Sequence, residues 1–150
     1  MLDPGVLDTV LGNIEAEAVS SAVLLLRQRV NVPPSALGVA AGDDGEPVLT
    51  LLPILDLTQR YEALQAAVTA AKAEGFVFLF DGVVRGLDGS HDALLIVTCT
   101  RLWRRAKAIL YRHSVDGLLV NDPVEAPDNI AAEYQRALHV HPEPHPGRPH

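Results

Sequence analysis

Apolar positions change their spacing several times along this chain, and each change marks a predicted element. From Pro4 to Val30 they recur at helical spacing, with Val6, Val10, Ile14, Ala18, Ala22 and Leu25 or Leu26 on one stripe. Asp3 is a capping residue and Pro4 suits the first helical position, so a helix is predicted over 4–30. NVPPS at 31–35 ends it, because proline lacks a donor and restricts the residue before it. Two short apolar runs follow, ALGVAA (36–41) and PVLTLL (47–52), with Asp44-Gly45 as the hairpin signal between them. DLTQRYEALQAAVTAAKAEG then reads as a helix. Asp56 and Gln59 resemble a capping box, Leu57, Tyr61, Leu64, Val68 and Ala71 form the stripe, and Gly75 offers a C-terminal stop.

Beyond residue 75 the pattern becomes one of strands. FVFLFDGVV (76–84), ALLIVTCT (93–100), RAKAILYRH (105–113) and LLV (118–120) are rich in Val, Ile and Phe and separated by turn residues. Alternation within 105–111 places Arg105, Lys107, Ile109 and Tyr111 on one face and Ala106, Ala108 and Leu110 on the other. Asp128 can cap a last helix with the stripe Ile130, Tyr134, Ala137 and Leu138. The order α-ββ-α-βββ(β)-α predicts an α+β fold. We expect a single domain over 1–138, an antiparallel sheet of five or six strands, and helices covering one face of it. Residues 139–150, with His139, His141, His145, His150 and four prolines, are expected to form a disordered tail.

This order of elements resembles that of roadblock/longin and profilin-like domains. The resemblance is one of topology over residues 4–138, with no shared motif, and it implies a scaffolding or dimerisation module. The layout is also similar to that of a loose set of uncharacterised bacterial proteins, in which a VPP-started hairpin precedes an Ala-rich helix and an apolar strand pair. The matching segments here are VPPSALGV, FVFLFDGVV and DALLIVTCT. That likeness implies no activity.

Composition narrows the classes. Apolar residues at 48 % and charged residues at 21 % of 150 positions describe a soluble globular chain. A lone cysteine, Cys99, excludes an internal disulfide framework and a Cys-rich zinc site. The first residues carry acids where a signal peptide needs Lys or Arg, and the longest apolar run, 22–26, is closed by Arg27 and Arg29. A cytoplasmic location away from membranes is the expectation.

Charge singles out one segment. The chain is acidic, net −7, yet five of its twelve Lys and Arg residues crowd into RLWRRAKAILYR around the only tryptophan. Arg101, Trp103, Arg104, Arg105, Lys107 and Arg112 are therefore the candidate interaction residues, able to clamp phosphates and stack a base, or to dock on an acidic partner. The competing account is a hairpin edge guarded by cations against aggregation.

Catalytic patterns are sparse. Asp81, His91, Cys99 and His113 have the residue types of a hydrolase, but no nucleophile elbow, zinc-protease motif or phosphate loop accompanies them. Asp88, Ser90 and Asp92 alternate like calcium ligands, but the glycine and glutamate of an EF-hand loop are missing. No metal site and no cofactor is expected. The leading expectation is a non-catalytic protein-interaction or structural module forming a homodimer, with Val19, Val23 and Leu24 of the first helix as its apolar contact. Nucleic-acid binding through the basic hairpin is the alternative, and a hydrolase the weaker one.

Overall fold

A computed structural model describes residues 1–29, 31–56 and 58–139. The expected tail from residue 140 onward, and Val30 and Leu57, lie outside the described residues. Three helices and a seven-stranded antiparallel sheet follow in the expected order: α1 (Pro4–Arg27), β1 (Ser35–Ala41), β2 (Pro47–Leu52), α2 (Arg60–Ala71), β3 (Gly75–Gly86), β4 (Gly89–Thr100), β5 (Arg104–Ser114), β6 (Gly117–Val120), β7 (Val124–Glu125) and α3 (Asp128–Gln135), with a 3-10 turn at Arg136–Leu138. Across the sheet the strands run β2-β1-β3-β4-β5-β6, and β7 pairs beside β6 on the same strand, β5. The α+β class and the single antiparallel sheet are as expected. The seventh strand is only two residues long.

The layering differs from expectation. The helices cover both faces of the sheet rather than one. Phe76, Phe78 and Phe80 of β3, with Leu95, Val97 and Cys99 of β4, pack under α2 and α3. Their alternates Val77, Leu79, Leu94 and Ile96 pack under α1. This is why the β3 and β4 runs are continuously apolar: with period-two alternation, a strand buried on both faces needs apolar residues at every position. Tyr134 closes the α2/α3 side, its ring edge-on to Phe78 at 5.1 Å between centroids.

Several local expectations hold and others shift. Asp3 caps α1, its Oδ2 accepting from Val6 N at 3.2 Å. The buried stripe of α1, however, is Leu7, Leu11, Ile14, Glu15, Ala22 and Leu26, while Val6 is 41 % exposed. The helix is thus turned so that a carboxylate faces the sheet. By length and apolar composition α1 also passes for a membrane-spanning segment, against the reading of its short apolar run, but that stripe is committed to the sheet. Asp56 accepts from Thr58 N, Thr58 Oγ1 and Gln59 N, an Asx turn that delays α2 to Arg60. Lys72, at φ 53°, ends α2 in the left-handed conformation expected of Gly75. Gly75 instead opens β3, where a Cβ would lie 2.7 Å from Leu11 Cδ1. It is needed there for the approach of α1.

Candidate functional site

The basic segment turns out to be occupied from within. Arg105 and Lys107 do share a face of β5 with Ile109 and Tyr111, but that face lies under α1. There Glu15, its side chain 4 % exposed, receives both cations: Arg105 Nη2 pairs with Oε2, and Lys107 Nζ reaches Oε1 at 2.7 Å. Thr98 Oγ1 donates to the same Oε2 at 2.9 Å. Burial pushes the Glu15 carboxyl up, and hydrogen bonds from Arg105, Lys107 and Thr98 outweigh it, leaving the group below its ordinary value of 4.5. A carboxylate at this depth requires such partners.

The remaining residues of the segment are also engaged. Arg104 grips Asp128 at the start of α3 through two bonds of 2.9 and 2.7 Å and reaches Gln135 Oε1 at 3.1 Å. Arg101 Nε donates to the Leu138 carbonyl at 3.0 Å, tying down the end of the 3-10 turn. Trp103 Nε1 donates to Asp8 of α1 at 2.8 Å, and the Arg105 guanidinium lies 5.1 Å from the indole centroid. Arg112 alone of the six stands apart, exposed beside a shallow hollow with His91, Leu119 and Asn121. Five of the six candidates therefore make internal ties to α1, α3 or the 3-10 turn, while the side chains of Arg101, Arg104 and Arg105 stay partly open to water.

The hydrolase candidates do not converge. Cys99 is buried in the core, and desolvation pushes its thiol up to about 12. His91 bonds to Asp88 Oδ1 at 3.0 Å at the far end of the β3–β4 ribbon. Asp81 and His113 do line one polar hollow of about 180 Å³, with Arg29, Asn31 and Tyr111. In it the Tyr111 hydroxyl donates to Asp81 at 2.8 Å, and burial followed by that hydrogen bond raises the phenol well above its ordinary value. Among the described residues no Ser, Thr or Cys lines this hollow. Among the described residues no group of three His, Cys, Asp or Glu is placed to hold a metal ion.

What the sequence did not single out is the edge of the sheet. Among the described residues β2 has a partner, β1, on one side only. Gly42 N donates to Glu46 O at 2.7 Å at the hairpin end. Antiparallel pairs alternate between bonded and non-bonded, so Ala40–Val48, Gly38–Thr50 and Ala36–Leu52 bond inward. Leu49 and Leu51, opposite Val39 and Leu37, then aim their N–H and C=O groups outward from the sheet. Val39 agrees: its carbonyl turns the other way and accepts from Glu74 N at 2.8 Å. The side chains are equally open, Leu49 being 55 % and Leu51 70 % exposed. They border an apolar groove of about 400 Å³ floored by Leu37, Val77 and Leu79 and walled by Ala18 and Leu25 of α1. Of the helix residues expected to form a contact, Val19 and Val23 pack partly into the core, and Leu24 is 57 % exposed. The available signal was PVLTLLPIL at 47–55, nine residues without a charge.

Comparison with protein families, with curated proteins and with solved structures gives no match.

Proposed function

We propose that this chain is a non-catalytic interaction module that associates with itself through the β2 edge and the groove beside α1. The observation that carries the reading is the open middle of the β2 edge, at Leu49 and Leu51. Edge strands are normally blunted by charges, prolines, bulges or a covering element, because an open row of backbone groups recruits another strand, and here Pro47 and Pro53 guard only the two ends. β2 carries no charge between Pro47 and Leu55, and its outward leucines sit beside an apolar groove. An apolar surface of this kind, at a strand edge, marks an interaction site. The basic hairpin lends little support to nucleic-acid binding, since four of its five cations already have carboxylate or carbonyl partners.

Sedimentation of the purified chain over a range of protein concentrations tests the proposal. A dimer that dissociates on dilution is the expected result. A monomer at every concentration would remove it.

A further inference from the structure

Resting on that reading, we infer the geometry of the self-association: two copies pair β2 against β2 antiparallel about a two-fold axis through Thr50, joining their sheets into one. The backbone groups free for pairing belong to Leu49 and Leu51, which lie symmetrically about Thr50. An axis there sets Leu49 of one copy opposite Leu51 of the other, so the two exchange N–H···O bonds in both directions, twice over. Pro47 then falls opposite Pro53 of the second copy. Both prolines sit at outward-bonding positions where a donor is missing, so the ladder closes where the donors end. A one-residue slip would bring inward-bonded groups to the seam and break the match.

Charge points to the same occupant. Two chains of net −7 repel wherever acids face each other, and the strand from Pro47 to Leu55 is neutral. In the paired form the leucines of both copies lie on the α1 side of the joined sheet, and each groove runs into the other. Leu49 and Leu51, 55 and 70 % exposed, meet their counterparts across the seam.

The test is a disulfide. Thr50 pairs with itself as a non-bonded pair, whose Cα atoms lie about 4.5 Å apart, inside the range a disulfide spans. Thr50→Cys should give a covalent dimer under mild oxidation, read on a non-reducing gel. Val48→Cys should not, because the two copies of that position lie more than ~10 Å apart along the strand. The native Cys99 is fully buried and does not compete. Circular dichroism melts matched to the parent chain establish that both variants fold. A dimer by sedimentation with no Thr50→Cys cross-link, or with equal cross-linking at Val48→Cys, overturns the register and leaves self-association standing. A monomeric parent chain that Thr50→Cys does not cross-link overturns both.

Discussion

Two stretches of this protein invert their apparent importance. Residues 101–112 concentrate five cations around a tryptophan in an acidic chain, and residues 47–55 contain no charge at all. In the folded protein the conspicuous stretch is spent on internal contacts, with Arg105 and Lys107 on Glu15, Arg104 on Asp128, Arg101 on a carbonyl and Trp103 on Asp8. The plain stretch keeps free backbone groups and exposed leucines at the edge of the sheet. Charge density is a property of sequence, but availability is decided by what the fold has already paired. A cluster of one sign in a chain with excess of the other finds its partners at home.

The internal role of the cations is greatest at Glu15. Replacing Arg105 and Lys107 together by methionine leaves a buried carboxylate uncompensated, and urea unfolding should show a loss of about 3 kcal/mol. Adding Glu15→Leu to that pair should recover much of the loss, since no charge then remains under α1. If the double variant is as stable as the parent chain, the cations are not structural and the segment is free to bind. At the other stretch, Leu51→Lys should weaken self-association at least tenfold by sedimentation, while the melting curve of the monomer changes little, as for an exposed substitution.

A pH series sharpens the contrast from within. The folded Glu15 carboxyl titrates below its ordinary value of 4.5, so its contribution to stability is complete above that pH. It is lost as pH falls through the depressed value. The stability gap between the parent chain and Glu15→Gln should therefore be widest near neutrality and narrow below pH 4.5, whereas a gap independent of pH would mean the carboxylate is not what the cations hold. The smallest expected effect is on Trp103. Its emission should stay unchanged when short single- or double-stranded oligonucleotides are added at low salt, because Asp8 and Arg105 already hold the indole. Salt-sensitive, saturable quenching would return the segment to nucleic-acid binding.

Element order, the α+β class, the Asp44-Gly45 turn and the face assignment of β5 were all legible in the sequence, because each rests on local spacing. Period-two alternation alone separated Arg105, Lys107, Ile109 and Tyr111 from Ala106, Ala108 and Leu110, and the two cores divide these residues in that way. The stripe of α1 was not legible to the same degree. Ile14, Ala22 and Leu26 of the expected stripe are buried and Val10 and Ala18 half-buried, but Leu7, Leu11 and Glu15 join them while Val6 turns outward. A carboxylate belongs to a buried face only if cations ninety residues later lie across from it.

Which segments form helices and strands is written locally, since helix caps, turns and hydrophobic periods act within a few residues. Which side of the sheet α1 covers, which charges are cancelled and which strand is left at the edge follow from packing alone. Those outcomes depend on contacts between residues far apart in the chain, such as Glu15 with Lys107 and Asp8 with Trp103. The burial and ion pairing that such contacts create are properties of the packed layers, and no single window of sequence contains them.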